Sequence, residues 1–298
     1  MSAKAASALV TVDGSAGEGG GQVLRTSLAL SLVTGRPVRI EKIRARRQKP
    51  GLMRQHLTAV EAAARIGCAH VEGASIGSSE ILFTPVSVTP GVYEFAVGTA
   101  GSTTLVLQTV LPALLTASGP STLRLRGGTH NPLAPPFEFL KRSFLPLVER
   151  MGPRVEANLV RAGFYPAGGG EIDVTITPVP RLGRLDLLER GEIARRRAVG
   201  VVARLPLEIA ERETKTVAKA LGWEWDLTET LEVDSAGPGN VVHVEIECAN
   251  VTEVITGFGE RGVRAEAVAE KVAREAKRYL AADVPVGEHL ADQLLLPM

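Results

Sequence analysis

The sequence predicts an α+β fold of repeated strand–helix–strand–helix–strand–strand units, with a block of different character set into the third. Three observations predict it. Residues 7–90 read as βαβαββ from apolar alternation, helical spacing and Gly/Pro stops. Residues 91–178 repeat that grammar at a spacing of about 80 residues, the mark of an internal duplication. Between about 182 and 281 the pattern changes and supplies its own helices and strands, as an inserted domain does. The expected division is a large repeat domain over 1–181 and 282–298, and a small inserted domain over 182–281. Within the large domain, repeat one is 7–90, repeat two is 91–169, and an incomplete repeat three is 170–181 plus 282–298.

The first unit opens with an apolar run at 9–12, which passes through Gly17-Glu18-Gly19-Gly20-Gly21-Gln22 into a helix over 24–33. Gly35-Arg36-Pro37 stops it. A strand follows at 38–43, then a helix over 52–66 with Leu57, Val60 and Ala64 at helical spacing, then short strands at 70–72 and 80–85. In the second unit, Gly98-Thr99-Ala100-Gly101-Ser102-Thr103 answers the first Gly-rich loop, Gly119-Pro120-Ser121 the stop, and a helix over 135–150 the second helix. The third unit is expected to open with the strand 170–178, where Ile172, Val174 and Ile176 alternate, and to resume at Val286-Gly287-Glu288. The inserted block reads strand 199–205, helix 207–221, strands near 227–233, 241–248 and 251–258, and helix 263–280 burying Val268, Val272, Ala276 and Tyr279. By this grammar the third unit stops after its first helix, so the sequence is expected to be shortened at its C-terminus.

The totals bound the function. Of 298 residues 45% are hydrophobic, enough for a core, and a net charge of +1 gives no global field toward nucleic acid. Cys68 and Cys248 sit in apolar runs without metal spacing and are expected to be buried free thiols in a reducing compartment. No run is long enough to span a bilayer, and the start Met1-Ser2-Ala3-Lys4 leads into no apolar leader. The expectation is a soluble, cytoplasmic protein with no membrane partner; a homo-oligomer is left open.

Several stretches carry chemistry. The loop 17–21 places glycines and Glu18 where a strand passes into a helix, a setting that suits phosphate, with Glu18 tolerable if a divalent cation bridges. Taken alone, the stretch favours a plain tight turn with a solvated acid. Arg44, Arg46, Arg47, Lys49 and Arg54 crowd one loop ahead of Gln55 and His56, and favour an anion site. The loops 127–136 and 164–170 read first as structural turns. Gln108, in an apolar helix, is either a buried hydrogen-bonded side chain or a ligand contact. Of His56, His70, His130, His243 and His289, no two are spaced as a metal pair.

Together these stretches resemble a known family. Gly17-Glu18-Gly19-Gly20-Gly21-Gln22 with Leu24-Arg25, the run from Arg44 to His56, Gly101 with Thr104 to Pro112, Gly127 to Pro132, Gly163 to Gly170 and Leu290 to Met298 look like RNA 3′-terminal phosphate cyclase over essentially the whole chain. The resemblance implies βαβαββ repeats similar to the C-terminal domain of translation initiation factor three, and a thioredoxin-like insert. It implies ATP and a divalent metal (Mg or Mn) as cofactors and an RNA ending in 3′-phosphate as partner. A histidine takes AMP from ATP and passes it to the RNA phosphate; the 2′-hydroxyl then closes a 2′,3′-cyclic phosphate. Covalent transfer of this kind divides a hard displacement into easier ones.

By the same resemblance Glu18 is a metal position. Arg25, Arg44, Arg47 and Gln55 surround phosphates, and Gln108 with His289, Leu290, Ala291, Asp292 and Gln293 contacts ATP. His289 stands where the family often has a base-stacking tyrosine, and Pro135 on the opposite face. The family's nucleophilic histidine lies beyond the segment ending at Met298, so the chain as given is expected to form no AMP adduct and to bind ATP poorly. Two other readings are a non-catalytic cyclase-like protein of ribosome assembly, and an enolpyruvyl transferase built from related repeats. Retention of Glu18, Arg25, Gln108, Asp292 and Gln293 argues against the first, and the 290–298 segment and the insert against the second.

Overall fold

The computed structural model describes residues 8–298; the readings of Met1 to Lys4 and of a unit start at residue 7 lie outside them. The first sheet contains β1 (Val10–Asp13), β2 (Val38–Glu41), β3 (His70–Glu72) and β4 (Ile81–Thr84) in the order β1-β2-β4-β3. β1 and β2 are parallel, so the chain must cross over between them, and it does so through α1 (Gly21–Thr34). Gly35, with φ 66°, ends that helix in the left-handed conformation. After β2, α2 (Arg54–Ile66) precedes the antiparallel strands β3 and β4.

The second sheet has the same order and the same strand senses. β5 (Val92–Ala96) runs parallel to β6 (Ser121–Gly127), with α3 (Thr103–Leu114) between them. β7 (Arg154–Arg161) and β8 (Gly170–Thr177) complete the order β5-β6-β8-β7. A broken helix precedes β7: α4 (Phe137–Phe139), a π-helical turn over Leu140–Phe144, and α5 (Leu145–Glu149). This pairing corrects one expectation. The strand 170–177 does not open a third unit; it lies in the second sheet, bonded to β6 on one side and β7 on the other.

The third sheet contains β9 (Ile193–Ala203), β10 (Thr228–Glu232), β11 (Gly239–Cys248) and β12 (Thr252–Phe258), ordered β10-β9-β11-β12. α6 (Glu208–Leu221) and α7 (Ala265–Ala281) pack on it, burying Val217, Val272, Ala276 and Tyr279. β9 starts earlier than the apolar pattern suggests, because Arg197 in its charged first half is paired across strands with Glu245 and Glu229. The chain then returns through α8 (Glu288–Leu294) to the main core, where Leu290 and Leu294 join Leu107 and Phe139. Cys248 is buried as expected, but Cys68 is exposed, since a left-handed turn (φ 45°) swings it off the end of α2. Among the described residues no helix is long and apolar enough to cross a membrane.

The third sheet is buried on both faces. Opposite its helices, Val199, Val201, Ala203 and Val241 pack on Ala162 and Phe164 from the second unit. β11 is therefore buried along nearly its whole length, although polar and apolar residues alternate in it. Its buried carboxylate is paired: Glu245 is bonded by Arg197 at 2.7 Å, by Arg142 at 3.0 Å and by His243 at 3.1 Å. Burial would raise its pKa, but these donors hold it at about 2. The closest apolar approach is Phe164 on Gly239, where a Cβ would lie 1.9 Å from Phe164 Cγ. Gly239→Ala is therefore expected to destabilise the protein by about 1–3 kcal/mol, as overpacking does, with Phe164→Leu restoring part of the loss in urea unfolding.

Candidate functional site

A cavity of about 2070 Å³ opens where the Gly-rich loops, α1, α3, α8 and the third sheet meet. It gathers residues far apart in sequence. The loop before α1 contributes Glu18, and α1 contributes Gln22 and Arg25. The basic loop contributes Arg44 and Arg47, and α2 contributes Gln55 and His56. Gln108 and Pro135 come from the second unit; His289, Ala291, Asp292 and Gln293 come from α8. Leu290 is the exception: it is fully buried in the apolar core and lines no part of the cavity.

The first loop is shaped by conformations that glycine alone adopts freely. Gly17 and Gly19 have φ of 58° and 57° and lift Glu18 into solvent between them. Glu18 meets Arg47 Nη2 at 3.2 Å. Arg44, itself at φ 54°, turns inward and donates to the carbonyls of Lys49 (2.6 Å) and Gly51 (2.8 Å), so it holds the basic loop in shape.

Deeper in the wall the charges lose their partners. Arg25 is half-buried and makes no side-chain hydrogen bond or ion pair among the described residues; burial pushes its pKa down to about 10, and it stays charged at neutral pH. His56 packs against Gly21 so closely that a Cβ there would lie 2.4 Å from Nε2. Its Nδ1 accepts the Met53 N–H at 3.3 Å. Burial first, then Arg44 and Arg25, push the imidazole pKa down to about 3. His56 is therefore neutral, with its one proton on Nε2, facing the cavity.

Amide side chains tie the elements together. Gln55 Oε1 accepts the Ser102 N–H at 2.8 Å, joining the two Gly-rich loops. Gln22 Nε2 donates to Asp292 at 3.2 Å, Gln293 Nε2 donates to Asp292 at 3.1 Å, and Gln108 donates to Gln293. α1, α8 and α3 are thus linked through Asp292 and Gln293. His130 is held elsewhere: Nδ1 faces Thr129 Oγ1 and Nε2 faces Glu138, both at 2.8 Å, with its ring stacked on Phe164. It has no free nitrogen for chemistry.

Sequence reasoning included Gln22 and His56 in its motifs but gave neither a role. Lys271 and Glu275 on α7, in the inserted block, also line the cavity. Because folding depresses the His56 pKa, its contribution to stability is complete above about pH 6.5 and is lost as pH falls toward 3, where the unfolded chain takes up a proton the folded chain refuses. NMR titration is expected to show one imidazole silent between about pH 5 and 8, and its signal to vanish in His56→Asn.

The sequence matches the family model for RNA 3′-terminal phosphate cyclase over residues 16–298. Three relatives carry that name. The one from Koribacter versatilis is 54% identical over 97% of this chain and 82% of its own length. Those from Ralstonia nicotianae (53%, covering 97% and 83%) and Ectopseudomonas mendocina (52%, covering 94% and 82%) are similarly close. A match over nearly the whole chain at this identity leaves one conclusion: the chain belongs to the RNA 3′-terminal phosphate cyclase family.

Proposed function

We propose that this chain carries the site for ATP-dependent conversion of an RNA 3′-terminal phosphate into a 2′,3′-cyclic phosphate. The observation that carries the reading is Arg25: a desolvated guanidinium with no counter-ion, beside a neutral N–H donor and a Gly-rich loop. Such a site is completed by an anion, and a phosphate offers the acceptors. On this reading Arg25 and His56 Nε2–H bind phosphate oxygens. Arg44 and Arg47 draw the RNA end in by charge. Gln108, Asp292 and Gln293 hold the nucleotide, with His289 and Pro135 on either side of the base.

The residues fit ATP with a divalent metal, but not a metal alone. Among the described residues no three His, Cys, Asp or Glu cluster to hold one, so Glu18 would share the ion with phosphate oxygens. When bound, that ion neutralises charge on the reacting phosphates. We further propose that the first two sheets are tandem copies and that the third sheet with its helices is a thioredoxin-like insert. The identical order and strand senses of the first two sheets support the former. The order β10-β9-β11-β12, with α6 and α7 packed on each other, supports the latter.

None of the five histidines fits the nucleophile. His130 and His243 are buried in internal bonds, His56 faces the phosphate site, and His70 and His289 match no nucleophile position in the family resemblance. Incubated with labelled ATP and metal, the 298-residue chain is expected to retain no acid-labile label; strong labelling would overturn that assignment. Binding tests the function itself. An RNA ending in 3′-phosphate is expected to bind about tenfold or more tightly than the same RNA ending in 3′-hydroxyl, from one charge-assisted contact set. Arg25→Ala is expected to erase that preference. Equal binding of the two RNAs by the unaltered protein would sink the reading.

A further inference from the structure

The third sheet touches the cavity through one carboxylate. Glu253 stands on β12, is 3% exposed, and forms part of the cavity wall. Its Oε2 accepts the backbone N–H of Gly287 at 2.8 Å, and Gly287 is the residue just before α8. A Cβ at Gly287 would lie 2.8 Å from Glu253 Oε1, so the carboxylate lies directly on the backbone. No cation pairs with Glu253 among the described residues. The connecting stretch is held from the same block: Arg190 donates to the carbonyls of Tyr279, Leu280 and Ala282, and Tyr279 Oη donates to Pro285 O at 3.1 Å.

We propose that Glu253 is a positioning residue, through which the block 182–281 fixes where α8 begins and so where Asp292 and Gln293 stand in the cavity. The inference rests on the reading of α8 as the nucleotide-contacting segment. α8 is seven residues long and buries only Leu290 and Leu294. A helix that short does not hold itself in place. A desolvated carboxylate without a cation is costly, so Glu253 is a poor device for stability alone. A carboxylate at a helix start meets an unpaired N–H and the favourable end of the dipole.

The titratable groups facing Glu253 are Tyr279 on α7 and Cys248 on β11, with Arg190 behind Tyr279; beyond Gly287, Glu288 turns away toward Arg278. Burial pushes the Glu253 carboxyl up to about 7, against the opposing hydrogen bond from Gly287. The ionised form is the stronger acceptor, so the bond to Gly287 tightens as pH rises through about 7. The folding contribution runs the other way. A raised acid pKa favours the folded state below the unfolded value of 4.5, and that contribution is lost as pH rises to about 7. A merely structural role would loosen α8 and destabilise the fold together; positioning separates the two.

Hydrogen exchange on the intact chain tests this. After correction for intrinsic rates, protection of residues 286–291 is expected to rise between about pH 6 and 8.5, while thermal stability does not. Glu253→Ala is expected to lower that protection about tenfold or more at the higher pH, the worth of a buried charge-assisted bond, and to leave α7 peptides unchanged. Glu253→Gln keeps an acceptor; it is expected to restore most of the protection and to abolish the pH step, which keeps the test valid if the alanine variant folds poorly. Unchanged protection at 286–291 in both variants, or equal loss across the whole third sheet, would overturn the proposal. The nucleotide reading is tested apart, by the effect of Asp292→Ala on ATP binding. A null result there would remove the ligand but leave the Glu253–Gly287 bond standing.

Discussion

The cavity depends on a positive charge, Arg25, that has no partner among the described residues. Two buried carboxylates of the frame do have cationic partners: Glu245 has two arginines and a histidine, and Glu138 has His130. Among the described residues Arg25 has neither carboxylate nor carbonyl as partner, and burial to a pKa of about 10 cannot discharge it at neutral pH. The cost is met by its setting on α1, whose Leu24 and Leu28 are buried in the common core one helical face away. His56 answers the same constraint differently. Partly buried, with Arg44 and Arg25 near, the imidazole is the group that can lose a proton, and it does. What results, around Arg25 and His56, is a donor-rich stretch of wall suited to a phosphate.

Such a wall is useful only if its parts keep their distances, and they come from three regions of the chain. The links are short and polar where the elements meet: Gln55 to Ser102, Gln22 to Asp292, Gln108 to Gln293. The apolar core behind them is shared by the first two sheets and α8, so a shift in one loop is resisted by all. The third sheet is part of this frame. Phe164, from the Gly-rich loop before β8, is clamped between His130 and Gly239. The loop that borders the cavity is thereby fixed by the block that interrupts the sequence.

What could be read in the sequence, and what could not, follows from which interactions are local. Strand–helix grammar and glycine stops are local, so the elements of both sheets, the Gly35 cap and the buried face of α7 were legible. Partner choice is not local. Ile172, Val174 and Ile176 alternate equally well for either sheet, and only the pairing with β6 and β7 decides. Cys68 sits in an apolar run, yet one left-handed residue takes it to the surface. The site motifs were legible as clusters of residue types, but the tautomer of His56 depends on the Met53 N–H and on the nearness of Gly21. Glu253 carries no sequence signal, because its partner Gly287 is a backbone amide brought back by another element.

The pairing of Glu18 with Arg47 bears on how a metal could enter the proposed site. The bond is long and largely in solvent, with the Glu18 side chain 91% exposed, and such pairs contribute about 1 kcal/mol or less. Glu18 is therefore free to exchange partners at little cost. A divalent cation arriving alone at Glu18, however, would meet Arg47 directly and Arg25 and Arg44 in the same cavity, and like charges in a partly desolvated wall repel. A polyphosphate held by these arginines would offset their charge and so lower that barrier. On the proposed reading, metal and nucleotide therefore bind as one unit. On that reading Glu18 would help hold the ion, which would supply charge neutralisation, and Arg47 would be left to bind phosphate.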